Sequence, residues 1–309
     1  MNIKWILRMI GSNRELIQRN TIDAVEDLRQ LKQEYGHINN DEVQLNLELN
    51  QAMSEISFHS RYDRAASHCL TVVEKFKDTA HKNALARHYW LLGQCYTFSG
   101  QYEKANKALN YSLELANKNQ ADGTLLQADV LHILAINSEM QNEGSEESLN
   151  YLQQCLQLIT DPGHVIRKAN ALMGIGNVLV NMRRAEEALP YFTEAAETYE
   201  QHYDLPNMAA VYSNMGTSYL LLNNWGKAEE FLLKSLDLRK KFGTPADLSI
   251  SYYNLGIVYR DQGKLKEAYA ALNKSREISL GCSTPRDMEL TMQALSQVAE
   301  QLGTPLAVI

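Results

Sequence analysis

An all-α solenoid of antiparallel helix pairs is the fold the sequence predicts, and three observations carry that expectation. The first is a repeat of about forty residues. Tyr89-Trp90-Leu91-Leu92-Gly93-Gln94-Cys95-Tyr96 returns as Tyr212-Ser213-Asn214-Met215-Gly216-Thr217-Ser218-Tyr219, then as Tyr252-Tyr253-Asn254-Leu255-Gly256-Ile257-Val258-Tyr259. A unit this short cannot bury its apolar face alone and must stack on its neighbours. The second is the spacing of apolar residues at i, i+3, i+4 and i+7 in both halves of each unit, which is helical. The third is composition: six prolines and sixteen glycines in 309 residues leave long stretches without a helix breaker.

The elements follow in chain order. Met1–Ile10 has an apolar stretch interrupted by Lys4 and Arg8 with no cleavage-site pattern after it, so it reads as an amphipathic capping helix rather than a signal peptide. Ala24-x3-Leu28-x2-Leu31 has the pattern of a second helix. Its first helix would centre on Ser12, where Gly11-Ser12-Asn13 does not match, so residues 1–36 are expected to form an N-terminal cap. Residues 37–282 hold six helix pairs. Their first helices centre on a small-residue position occupied by Met53, Gly93, Ala135, Gly176, Gly216 and Gly256, at intervals of 40, 42, 41, 40 and 40.

Twelve residues after each small position, thirteen in the third unit, a second pattern begins. It reads Ala65-x3-Cys69-x2-Val72, Ala105-x3-Leu109-x2-Ser112, Ser148-x3-Leu152-x2-Cys155, then Ala188-x3-Phe192-x2-Ala195, Ala228-x3-Leu232-x2-Ser235 and Ala268-x3-Leu272-x2-Ser275. Turn residues separate the two helices, as at Ser99-Gly100-Gln101, Asn223-Asn224-Trp225-Gly226 and Asp261-Gln262-Gly263. A second set of breakers separates the pairs: Gln120-Ala121-Asp122-Gly123, Asp161-Pro162-Gly163, Asp204-Leu205-Pro206, Gly243-Thr244-Pro245 and Ser283-Thr284-Pro285. Residues 283–309 supply a capping helix or a truncated seventh repeat. A mid-helix glycine costs about 1 kcal/mol against alanine. Close approach of the partner helix, with no side chain between, is the expected compensation.

These motifs resemble the tetratricopeptide repeat family, whose signature is a large residue, Leu-Gly, Tyr, then Ala, a large apolar residue and Ala. The match covers roughly residues 45–282 and is strongest around Gly93, Gly216 and Gly256. The common repeat is about 34 residues, so the longer period resembles the branch found in kinesin light chains, cell-polarity adaptors and bacterial peptide-sensing regulators. That resemblance implies a right-handed superhelix whose concave groove is lined by the first helix of each pair. It also implies that the second, fifth, sixth, ninth, twelfth and thirteenth positions of that helix face the groove. Carried over, these give Asn214 and Asn254 at the sixth, and Trp90, His132, Ser213 and Tyr253 at the fifth. The second gives Arg87, Asp129 and Asn170, and the ninth Gln94, Asn177 and Thr217; Asn181, Arg260 and Asp261 fall at the last two.

A carboxamide both donates and accepts, so it can hold an extended peptide backbone without reading its sequence. Resemblance to the long-repeat branch makes Asn214 and Asn254 the first candidates; the competing reading is that they bond the neighbouring repeat. Trp90 and Tyr253 are either side-chain anchors or core aromatics. The carboxylate clamp of chaperone-binding repeats is absent: beside Asn177 the fifth position is Met173, and the next repeat offers Ala210 and Asn214.

The exclusions are broad. A net charge of −7 without a basic cluster argues against nucleic acid. Arg183-Arg184 and Arg239-Lys240-Lys241 read as a solvated turn and a helix C-terminus. Cys69, Cys95, Cys155 and Cys282 have no CxxC spacing, and the eight histidines form no ligand pattern, so no metal or other cofactor is expected and the thiols suit a cytoplasmic location. No phosphate-binding loop, nucleophile elbow or dinucleotide motif occurs, and no run is long enough to span a membrane. The expectation is a non-enzymatic scaffold or adaptor that binds a protein or peptide segment, with a homo-oligomer not indicated. The alternative is the sensory input portion of a longer signalling protein or peptide-responsive regulator.

Overall fold

The structure, a computed structural model, describes residues 2–18, 23–59, 61–116, 121–280 and 285–303. Among them are fifteen α-helices and no strand. They fall into two compact units, Met1–Thr160 and Asp161–Ile309. Unit 1 contains α1 (Ile3–Gln18), α2 (Ala24–Tyr35), α3 (Asp41–His59), α4 (Tyr62–Lys75), α5 (Lys82–Phe98), α6 (Tyr102–Leu115), α7 (Ala121–Gln141) and α8 (Glu146–Leu158). Unit 2 opens with a 3-10 turn at Pro162–His164. It continues as α9 (Val165–Asn181), α10 (Ala185–Gln201), α11 (Leu205–Leu221), α12 (Trp225–Phe242), α13 (Pro245–Asp261), α14 (Leu265–Ser279) and α15 (Pro285–Leu302). Within each unit, consecutive helices pack as neighbours, and first helices of successive pairs also touch, as α11 touches α9 and α13. No described helix is long and apolar enough to cross a membrane.

Local chemistry sets the helix ends. Ser145, Asp204 and Asn224 each accept a hydrogen bond from the backbone N–H three residues on, and Thr244 with Asp247 forms a capping box. Pro206 and Pro245 sit in first turns, where an N–H has no intrahelical acceptor to lose. After the first helices, the chain reverses through a left-handed residue at Gly100, Gly144, Arg183, Asn223 and Gly263.

All eighteen residues of the second-helix pattern, from Ala65 to Ser275, are buried. The serines among them are satisfied by the first helix of the same pair. Ser112 Oγ donates to the Ala86 carbonyl at 2.7 Å and Ser235 Oγ to the Ala209 carbonyl at 2.7 Å. Each bond locks one helix against the other in the same register.

The glycines compensate differently from the sequence expectation. A side chain does lie between the helices. A Cβ on Gly216 would come within 2.6 Å of Leu232 Cγ, and one on Gly256 within 2.6 Å of Leu272 Cγ. Leu109 covers Gly93 and Phe192 covers Gly176 in the same way. The glycine is thus a socket, and the large residue of the second-helix pattern fills it. Burial of that residue, worth about 1.5–3 kcal/mol, outweighs the helix-propensity cost.

One further expectation needs correction. Ala121, Asp122 and Gly123 are helical, opening α7 instead of separating pairs, because apolar residues from Leu125 onward carry the helix forward; Gln120 lies outside the described residues. Pro190 stands inside α10 at an exposed position, within the helical pattern that the sequence runs through it. Arg239 stands in the last turn of α12, as the sequence suggests, and is buried there: its NH1 donates to the Asp247 carbonyl at 3.0 Å and to Ser251 Oγ at 2.9 Å. The breaker residues Ser283 and Thr284, and Cys282, lie outside the described residues.

Candidate functional site

In unit 2 the first helices α9, α11 and α13 carry the expected asparagines. Asn177 is exposed and accepts at Oδ1 a hydrogen bond from Asn214 Nδ2 at 2.7 Å, across 37 residues of sequence. Asn254 is half-buried at the same helix position as Asn214, one repeat further on. The Asn177–Asn214 bond is a contact between repeats, and it uses one donor and one acceptor of the pair. The other N–H groups and the Asn214 oxygen retain their bonding capacity.

Other candidates in unit 2 are committed to packing. Asn170 Oδ1 accepts from the hydroxyl of buried Tyr199 at 2.7 Å, tying α9 to α10. Tyr253 packs against the cluster formed by Ala268, Leu272, Leu295 and Val298, and loss of solvent raises its phenol pKa. Arg260 pairs through Nε with Asp261 at 2.8 Å and reaches Gln297 of α15 through NH1 at 3.4 Å. Thr217 donates to the Ser213 carbonyl one turn back in its own helix.

In unit 1, Trp90 packs against the cluster around Leu49, Cys69 and Leu91, and its buried Nε1 meets no acceptor among the described residues. Gln94, one turn on, is half-buried. His132 in α7 is held below the ordinary imidazole value by burial, against the opposite pull of Asp129. Beside Trp90, His88 is fully buried, its Nδ1 lies 3.2 Å from the Ala84 carbonyl, and loss of solvent lowers its pKa to about 4. Glu48 is lowered to about 2 by hydrogen bonds from His68 and Lys32.

Arg87 lines a cleft of roughly 610 Å³ formed by α1, α3 and the start of α5. Arg14, Glu42, Asn46, His81 and Lys82 line it too. None of these five was a sequence candidate. Arg14 and Asn46 belong to a network: Arg14 Nε donates to Asn50 Oδ1 at 2.8 Å and its NH2 to Asn46 Oδ1 at 2.6 Å. Asn50 Nδ2 in turn reaches the Ile10 carbonyl at 2.8 Å and Asn13 Oδ1 at 3.0 Å. The signal that could have found it is arithmetic: the small-residue position expected at Ser12, which is exposed, is held by buried Asn13 one residue on, forty residues before Met53. Asn13 Nδ2 donates to the carbonyl of Ala24, which opens α2. No group of three or more His, Cys, Asp or Glu among the described residues is placed to hold a metal.

Tetratricopeptide repeat models match residues 86–119, 167–241 and 250–280. The chain is 24% identical over 207 residues to the mitochondrial tetratricopeptide repeat protein 19 homolog of Drosophila melanogaster, covering 66% of this chain and 53% of that protein. It is 29% identical over 125 residues to response regulator aspartate phosphatase A of Bacillus subtilis, covering 40% of this chain and 32% of that one. The chain therefore spans about half the length of the first relative and about a third of the second. A Rap protein solved with the competence and sporulation factor shares the fold at a TM-score of 0.73 and 15% identity, over 97% of this chain and 87% of that one. The sockets at Gly93, Gly176, Gly216 and Gly256 fall inside the matched residues, and those residues are tetratricopeptide repeats with the fold of that family.

Proposed function

We propose that this protein is a non-catalytic binding scaffold that takes a protein or peptide segment along the first helices of its repeats. The observation that carries the reading is the row of asparagines in unit 2. Asn177 and Asn214 orient each other by a 2.7 Å bond, and Asn254 repeats the position on the next first helix. Paired amides with donors and acceptors to spare suit an extended backbone, which presents both kinds of group at regular intervals. The Rap protein solved with the competence and sporulation factor lends support by fold. It also favours the second reading, a sensory input portion of a longer regulator. Cytoplasmic placement goes with either reading, since Cys69 and Cys95 are buried thiols in neighbouring helices that form no disulfide.

The test is capture of partners from the native cell extract, with peptide mapping of what is held, by the unaltered chain and by Asn214→Ala with Asn254→Ala. The double variant is expected to lose most of the captured partner while its melting temperature stays close to that of the parent. Undiminished capture by a folded double variant sinks the proposal. Unfolding of the variant instead assigns the two amides to packing between repeats.

A further inference from the structure

We propose that a small cavity between α11, the end of α12 and the start of α13 in unit 2 seats a side-chain carboxylate of a partner segment, an aspartate or glutamate flanked by apolar residues. The inference goes beyond the asparagine row. The cavity shares no residue with that row and has its own ligand chemistry.

The repeat itself shows why space is left here. Residues 199, 239 and 279 hold one position of the second helices, and residues 170, 210 and 250 one position of the first helices, each forty apart. In the pair α9–α10 the two positions meet, since the Tyr199 hydroxyl donates to Asn170 Oδ1 at 2.7 Å. In the pair α11–α12 they carry Arg239 and Ala210. Ala210 offers a methyl group where Asn170 offers an amide. Arg239 turns instead to the next pair, donating through NH1 to the Asp247 carbonyl and Ser251 Oγ. Both residues line a cavity of roughly 60 Å³. That is the space of about two waters, which matches a carboxylate on its methylene.

Charge is the second ground. Arg239 is 9% exposed, and both acceptors of its NH1 are neutral. A guanidinium has five N–H donors, so these two bonds leave Nε and NH2 with theirs. Asp247 is the acidic residue of the lining, and its Oδ2 is taken up in capping α13. It accepts from the Thr244 backbone N–H at 3.0 Å and from the Thr244 hydroxyl at 2.7 Å. Burial holds Arg239 below the ordinary guanidinium value, against the opposite pull of Asp247. The cation is thus poorly solvated where it stands, and a carboxylate brought to it relieves that cost. A charge-assisted pair with a guanidinium already fixed and shielded from water is stronger than one formed on the surface.

The remaining lining is the third. Pro206, Ala209, Leu238 and Phe242 are apolar. Phe242 is 54% exposed and Pro206 is exposed as well, so apolar surface continues from the cavity to the outside of unit 2. A free anion would leave that surface bare. An acidic side chain with apolar neighbours covers it.

The experiment records amide NMR spectra of the full chain during titration with N-acetyl-Leu-Asp-Leu-amide or its Asn counterpart, reading the amides of Asp247 and Ser251. The Asp peptide is expected to bind about ten-fold tighter than the Asn peptide. Ala210→Asn places in the cavity the amide that the sister joint carries. It should weaken the Asp peptide by about ten-fold while the melting temperature holds or rises. Ala210→Leu fills the space without an amide and should weaken it as far, so that failure of one variant to fold leaves the other. Arg239→Met should abolish the preference for Asp over Asn. Equal binding of the two peptides overturns the proposal, as does undiminished binding by either folded Ala210 variant. Shifts that move the amides of Asn214 and Asn254 while Asp247 and Ser251 stay fixed also overturn it, placing the peptide on the asparagine row. Displacement of the Asp peptide by acetate at equal affinity overturns it too, making the cavity a site for a free anion.

Discussion

Unit 2 and unit 1 are built on one repeat but hold their helices together by different means. In unit 2 the first helices α9, α11 and α13 each offer a glycine socket, filled by Phe192, Leu232 and Leu272. In unit 1 only α5 does so. There Asn13, Met53 and Ala135 hold the other small-residue positions, and the buried amides Asn13, Asn50 and Asn137 stand in the helix interfaces. Asn50 bridges α3 to α1, while Asn137 donates to Asn106 Oδ1 at 2.8 Å and accepts from Thr97 Oγ1 at 3.1 Å. His88 is buried among them as a neutral ring. The difference teaches that stacking tolerates wide variation in the joint, with the buried asparagines bonded across it while Trp90 Nε1 and His88 Nε2 meet no partner among the described residues. It also predicts that the two units fail under different conditions.

Acid should separate them most. The unfolded chain protonates His88 near its ordinary value of 6.5, whereas the buried ring resists protonation until about pH 4. Between those values the unfolded state binds the extra proton, so stability present above pH 6.5 is lost as pH falls toward 4. The full loss is roughly 3 kcal/mol. Glu48 acts later: its carboxylate stabilises the fold above its ordinary 4.5, and that contribution disappears as pH falls toward 2. In unit 2, His164 is half-buried and His202 exposed. Hydrogen exchange at pH 7 and pH 5 should therefore show protection falling in α5 and holding in α11, with His88→Met shrinking the difference to what buried His132 of α7 contributes. Equal loss in both helices breaks the comparison.

Overfilling a socket should cost less and strike unit 2. Gly216→Leu pushes side-chain atoms into fully buried Leu232, with the Ala228 carbonyl 3.3 Å from the new Cβ. The expected loss is about 1–3 kcal/mol, read as a lower melting temperature. Gly11→Leu in unit 1 meets empty space and should leave melting unchanged or raise it. Unchanged melting of Gly216→Leu would remove the socket as the basis of the joint.

The sockets also explain what could be read in the sequence. Register, helix order and buried second-helix positions were legible because steric fit demands one residue type at one spacing. The occupant of the socket was not, since the period shows that a glycine and a leucine recur but not that one enters the other. The Asn13–Asn50–Arg14 network was hidden for another reason. Its partners lie 36 and 37 residues apart and are ordinary polar types, which a periodic pattern registers as surface. Arg87 was reached by carrying over a family position; with Asn13 at the small-residue position Arg14 falls at the ninth, in a helix whose sequence does not match the pattern, and Glu42 falls at a position the family pattern does not mark. Asn170 illustrates the opposite case: the carried-over position gives a residue whose amide oxygen is engaged by Tyr199.

The turns offer the finest discrimination. Residue 183 has φ of 64° and residue 223 has 56°, where residues 100, 144 and 263 are glycines at 71°, 71° and 77°. An L side chain in this region crowds the following carbonyl, and asparagine tolerates it better than arginine. Arg183 is exposed, so its replacement disturbs no buried contact. Arg183→Gly should therefore raise unit 2 stability by up to about 1 kcal/mol, less whatever glycine adds to the freedom of the unfolded chain. Asn223→Gly should gain less, and Gly263→Ala should lose a similar amount. The order of the three urea midpoints decides the matter. If Arg183→Gly is no more stable than the parent, the left-handed turn carries no strain, and its recurrence every forty residues in unit 2 reflects helix geometry alone.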